Sequence, residues 1–155
     1  MIRITDQYFW NIIFSIFFLA LLAMAVIILE SESRIPYSEL TLIDYTILTL
    51  ATWRLIRLFT KDILTRFIRE QFWDVVKVGR GHKLEKPKTG PRRTIADLLS
   101  CPWCFGVWAA TMVTFFYLLT PLAVFPILIL AISAVATFLH FVASMAAGAA
   151  EKLNS

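Results

Sequence analysis

Residues 9–29 are apolar without exception but for Asn11 and Ser15. At 1.5 Å of rise per residue that run can cross a hydrocarbon core about 30 Å thick. Ala23-Met24-Ala25 has the look of a signal-peptide cleavage site. The run continues past it and exceeds an ordinary signal core, so a retained first transmembrane helix is the expected outcome. Three more apolar runs follow, at about 42–59, 103–119 and 124–147. The chain is 59% apolar with mean hydropathy +0.72, where ordinary soluble domains hold roughly 45–50% apolar residues. The 155 residues therefore predict one all-α integral membrane domain over 1–155, a polytopic protein with four transmembrane helices.

The second run is the weakest, because Asp44, Arg54 and Arg57 interrupt it. Its helical pattern continues past the membrane edge. Asp62 with Arg66, and Arg66 with Glu70, are opposite charges four apart, worth a few tenths of a kcal/mol each. Ile63, Leu64, Phe67, Ile68, Phe72 and Trp73 supply an apolar side, so a helical cytoplasmic extension to about Val76 is expected. Gly79, Gly81, Pro87, Gly90 and Pro91 then read as a loop over 77–93. Thr94 and Asp97 have the spacing of a capping box opening a short helix.

Charge sets the orientation. Residues 54–93 carry 12 of the 15 Lys/Arg against 4 of the 11 acids, a local net of +8, whereas the first 53 residues net −3 and the last 62 net −1. With four spans, the cationic segment at 60–93 and both termini share one compartment, and only Arg34 lies opposite. The excess of basic residues places that compartment in the cytoplasm. Lys77, Arg80, Lys83, Lys86, Lys88, Arg92 and Arg93 become candidate contacts for anionic inner-leaflet lipid or an acidic partner. A basic segment set between apolar runs argues against a nucleic-acid binder.

Several polar groups fall at one depth in the inner half of the bilayer, where ionisable groups are costly unless paired or wetted. Arg54 and Arg57 close the second span and His140 lies about two turns from the end of the fourth. The arginines either snorkel to the phosphates or face the other helices. His140 reads first as a polar group bonded across helices. Small residues four apart, Gly106 and Ala110, then Ala136, Ser144 and Gly148 with His140, favour close helix approach within one chain or between copies.

Both cysteines lie in Cys101-Pro102-Trp103-Cys104, where the polar segment meets the third span. Pro102 suits the first turn of a helix, so Cys101 is expected as its cap and Cys104 within its first turn. Three readings stand. A redox pair would draw on the helix dipole, which favours thiolate. A zinc site would need ligands beyond Cys101 and Cys104, from His82, His140 or a second copy. The third and preferred reading is structural, with buried thiols and with Trp103, Phe105 and Trp108 anchoring at the interface. No cofactor is expected.

The residues Ala51-Thr52-Trp53-Arg54-Leu55-Ile56-Arg57-Leu58, then Asp62, then Leu98-Leu99-Ser100-Cys101-Pro102-Trp103-Cys104-Phe105-Gly106-Val107-Trp108 resemble a family of small bacterial and phage membrane proteins. Those carry an A-T-x-R-L-x-R-L helix and a C-P-W-C-x-G-x-W motif, and form the domain-of-unknown-function family 1360. Some members are labelled sporulation membrane proteins. The resemblance covers roughly residues 42–120 and implies a multi-span membrane protein without supplying an activity. Outside the inner layer the chain holds no nucleophile–base or acid–base pair. The expectation is a non-enzymatic scaffold or assembly partner, with an oligomeric pore, or a thiol-redox or metal-binding protein, as alternatives.

Overall fold

Apolar runs broken by caps and prolines produce the observed order of elements in a computed structural model. It describes residues 2–33, 35–78 and 81–154, with side chains at 7–33, 35–36, 38–74, 76 and 84–149. Helix α1 runs Ile2–Glu32. After a connection containing a short 3₁₀ turn, α2 runs Leu42–Thr60 and opens on a capping box. The Asp44 N–H donates to Thr41 Oγ1 at 3.3 Å while Thr41 N–H donates to Asp44 Oδ2 at 2.8 Å, so two end donors of the helix are satisfied reciprocally. A 3₁₀ turn at Ile63–Thr65 leads into the short α3, Arg66–Glu70. Strands β1 (Asp74–Val78) and β2 (Gly81–Glu85) form an antiparallel hairpin with Val76 opposite Lys83. Helices α4 (Pro91–Ser100), α5 (Pro102–Leu119) and α6 (Val124–Asn154) complete the chain.

The structure is all-α apart from that hairpin. Among the described residues, three helical segments are long and apolar enough to cross a membrane: Gln7–Glu32, Pro102–Leu119 and Pro121–Ala149. Helix α2, expected as the second of four spans, is not among them, since Asp44, Arg54 and Arg57 lower its apolar content. It is nonetheless packed between α5 and α6. Leu48 and Ala51 of α2 meet Val113, Tyr117 and Leu118 of α5, and Ile127 and Ala131 of α6, in one buried cluster. Large side chains such as Phe9, Ile16, Phe125 and Phe138 stay exposed on the outer helices. That distribution suits a lipid exterior, because hydrocarbon solvates such faces as well as a protein core would.

The connection between α2 and α4 departs from expectation. The helix does not continue to Val76: it stops at Thr60, Asp62 adopts an extended backbone, and residues 74–78 are strand. Asp62 pairs with Arg54, not with Arg66, so the expected Asp62–Arg66 staple is missing while Arg66–Glu70 forms at 2.5 Å. The three valines of β1 favour a pleated strand, and this outweighs the helical spacing of the apolar residues before them. Residues 77–93 are correspondingly not a plain loop, since they contain β2 and the start of α4. Nor does Thr94 cap α4. The helix begins three residues earlier at Pro91, after Gly90 at φ +101°, a left-handed backbone that glycine adopts without strain.

At Gly106 α5 lies close against α2, and a Cβ added there would sit 3.2 Å from Ile56 Cδ1. Gly106→Ala should be tolerated by a small shift of Ile56. Gly106→Leu should lower stability by about 1–3 kcal/mol through overpacking, measured by denaturation of the purified protein in detergent.

Candidate functional site

The segments 51–62 and 98–108 pack against each other at one end of the bundle. Ile56 lies beside Gly106, and the rings of Phe59 and Phe105 stand 5.3 Å apart. Trp53, Ile56 and Arg57 line one side of a cleft of about 300 Å³ whose other side carries Pro102 and Trp103. The Arg57 guanidinium lies over the Trp53 ring at 5.9 Å, a cation–π contact.

Arg54, one helical turn before Arg57, turns the other way. Its Nε donates to Ser133 Oγ on α6 at 3.0 Å, and its Nη1 lies 2.9 Å from Asp62 Oδ2. Both side chains of this ion pair are mostly enclosed, 18% and 26% exposed. Arg54 therefore faces α6 and the chain just past the end of α2. Arg69 donates to the carbonyls of Phe59 and Asp62 at 3.5 and 3.2 Å, and the Thr65 hydroxyl donates to the Leu58 carbonyl. Carbonyls that α2 leaves open at its end are thus filled by residues of the next turn and helix. His140 does not join this group. It is exposed on α6, about 10 Å beyond Ser133 by helical rise. Ala136, Ser144 and Gly148 are exposed with it.

Across α5 lies a second and larger cleft, about 660 Å³, between α1 on one side and α4 with the start of α5 on the other. Cys101 and Cys104 line it, with Lys86, Asp97, Asn11 and Trp108 among the other walls. Asp97 holds its entrance together: Lys86 Nζ lies 2.7 Å from Oδ1 and Arg93 Nε 3.4 Å from Oδ2. Lys86 also stands 5.8 Å from the Trp73 ring centroid. Thr94, expected as a cap, reaches across to α1. Its hydroxyl donates to Asn11 Oδ1 at 3.2 Å and accepts from Gln7 Nε2 at 3.0 Å. That tie between α1 and α4 carried no recognisable spacing in the sequence.

Cys101 caps α5 and Pro102 follows as its first residue, as expected. The Cys104 N–H donates to Cys101 Sγ at 3.2 Å, so sulfur takes the role an N-cap oxygen usually has. Hydrogen bonding from the Cys104 side chain, then from the Cys104 backbone, holds the Cys101 thiol below its ordinary value, and the Lys86 charge acts in the same direction. Both thiols are free. Among the described residues no three His, Cys, Asp or Glu side chains form a metal-binding group. One chain therefore supplies two thiols toward the four ligands of a closed zinc site, and the side chain of His82 lies outside the described residues.

Of the cationic residues, Lys86, Arg92 and Arg93 have intramolecular work. Arg92 bonds Asp74 Oδ1 at 3.3 Å and the Gln71 carbonyl at 2.9 Å, tying β1 and the turn before it to α4. Arg93 also donates to the Pro87 carbonyl at 3.2 Å. Lys88 is exposed. Arg80 and the side chains of Lys77 and Lys83 lie outside the described residues.

Residues 47–143 match the family model described as "Protein of unknown function (DUF1360)", and the chain belongs to that family. It is also similar to the UPF0713 protein YngL of Bacillus subtilis (strain 168), 35% identical over 98 residues that cover 61% of this chain and 74% of that protein. No solved structure matches. The family match takes in Arg54, Asp62 and both cysteines, whereas α1, which walls the larger cleft, precedes it.

Hydrogen bonding from the Cys104 side chain, then from its backbone N–H, should make Cys101 reactive at lower pH than an ordinary cysteine thiol. In Cys104→Ala the pH of half-maximal Cys101 alkylation should move upward, because the donor chiefly responsible for stabilising the thiolate is gone. Iodoacetamide labelling read by mass spectrometry measures the shift, and an unchanged midpoint would show that the Cys104 side chain has no part in it.

Proposed function

We propose that this member of the DUF1360 family is a four-pass protein of the bacterial inner membrane, with both termini and the cationic segment in the cytoplasm, and that it acts as a non-enzymatic scaffold or assembly partner. In this reading α2 is the second span. Its charges are compensated inside the chain: Arg54 by Asp62 and Ser133, Asp44 by Thr41 and by the Tyr117 hydroxyl at 2.6 Å. Pairing of this kind lets ionisable residues lie within an apolar bundle. The Lys/Arg excess between α2 and α5 supports the orientation.

The observation that carries the scaffold reading is the internal commitment of the polar groups at the cytoplasmic end. Arg54, Lys86, Arg92 and Arg93 each bond to a carboxylate of the same chain, an arrangement that fixes shape. The exposed cations beside them, Lys88 and Lys61, are free to meet anionic lipid or an acidic partner. A thiol-redox role is the second reading, favoured by the Cys104 N–H to Cys101 Sγ bond beside an open cleft. In it the two thiols would give two electrons and two protons to a disulfide substrate, which leaves as its two thiols while a Cys101–Cys104 disulfide forms.

Two measurements test the first reading. A cysteine introduced at Lys88 should react with a membrane-impermeant maleimide only after cells are permeabilised. Liposomes carrying the purified chain should hold an ion gradient as well as protein-free ones, and a leak proportional to protein would replace the scaffold with an oligomeric pore.

A further inference from the structure

The cleft beside the cysteines continues into the bundle. A second cavity of about 270 Å³ lies deeper between α1 and α5, shares Phe18 and Trp108 with it, and is walled by apolar side chains such as Leu21, Met112 and Phe115. The two together make a seam that is polar at one end and apolar along the rest. On α1 the lining runs from Asn11 to Ile28, about 25 Å by helical rise. One leaflet contributes half of a hydrocarbon core about 30 Å thick, so a lipid chain fits along the seam.

The polar end has a particular shortage. The hydroxyls of Ser15, Thr94 and Ser100 already donate, to the Asn11 carbonyl, Asn11 Oδ1 and the Ala96 carbonyl. The Asn11 amide oxygen accepts from both Gln7 and Thr94, whereas its NH₂ has no acceptor among the described residues. Lys86 spends one bond on Asp97 out of the three an ammonium can donate. Asp97 is met by two cations, Lys86 and Arg93, which leaves the entrance with one excess positive charge. Spare donors on Lys86 and Asn11, at a net-positive entrance above an apolar trench, fit an anionic headgroup carrying an acyl chain, and one buried acceptor beside them, Gln7 Oε1, has no partner among the described residues.

We propose that the α1–α5 seam holds one phospholipid with an anionic headgroup, its phosphate oxygens at Lys86 and the Asn11 amide and one chain running past Phe18 and Trp108. The apolar depth of the seam selects a membrane lipid over free phosphate. The site rests on the four-pass reading, which puts its entrance at the cytoplasmic headgroup level, and it makes α1 and the family-matched bundle two walls of one binding site.

The test uses the full chain purified from membranes in mild detergent and examined by native mass spectrometry, with anionic phosphatidylglycerol and zwitterionic phosphatidylethanolamine added in competition. One phosphatidylglycerol per chain should be retained, with at least a tenfold preference. Asn11→Leu combined with Lys86→Gln should abolish the preference, while Lys88→Gln, which changes an exposed cation outside the seam, should keep it. Val107→Trp, which fills the seam, should release the lipid without loss of helical circular dichroism. If Val107→Trp fails to fold, the headgroup preference of the other variants decides. No retained lipid, equal retention of both headgroups, or a preference lost equally in Lys88→Gln would overturn the site. Maleimide labelling at position 88 is read separately, so a failed topology and a failed lipid site give different results.

Discussion

Asp44, Arg54 and Arg57 lie on a helix packed between α5 and α6, where the enclosed Arg54 is costly to leave unpaired. The fold is arranged around that cost. Asp44 is held by its own cap and by the Tyr117 hydroxyl of α5. Arg54 reaches Ser133 of α6 and the carboxylate of Asp62, and Arg57 lies against the Trp53 ring. The bonds of Asp44 and Arg54 also join α2 to α5, to α6 and to the chain just beyond its end. Electrostatic compensation and helix packing are here the same set of bonds.

The Arg54–Asp62 pair also shapes the connection between α2 and α4. Bringing Asp62 back to Arg54 requires the extended backbone seen there, which ends the helix and turns the chain into α3 and the hairpin. Arg69 and Thr65 then satisfy the carbonyls exposed by that break. Arg92 ties α4 to the start of β1, and Asp97 draws in Lys86 and Arg93. The entry of α5, with Cys101 as its cap, is placed by this connected polar layer and by the fit of Ile56 against Gly106. Helix α1 is attached more lightly, through the Gln7–Thr94–Asn11 bonds and the Trp108 rings, and leaves the seam along α5 open.

The long helices were legible because their signals are local. Apolar runs gave their number, and Pro102 after Cys101 gave the start of α5 to the residue. The polar connection was legible only in its charge. Helical spacing over 62–73 suggested a continuous helix, but the partner of Asp62 lies eight residues back across the helix end, a choice made by tertiary geometry. The valines at 75, 76 and 78 were outvoted in the sequence by the helical pattern before them, although they decide the strand. The spacing of Thr94 and Asp97 matched a cap, yet both side chains are used across elements, to α1 and to Lys86. The cleft itself left no trace in any motif, because its walls come from two segments far apart in the chain, 11–19 and 86–108.

The proposal that α2 crosses the membrane despite its charges is the premise of this account. The direct measurement places single cysteines at Ser38 and at Lys61, in a Cys101→Ser/Cys104→Ser background, and labels intact cells with an impermeant maleimide. Position 38 should react at once and position 61 only after the membrane is opened. Equal reactivity of the two from the same side would mean that α2 lies on the surface, and the compensated charges would then need another explanation.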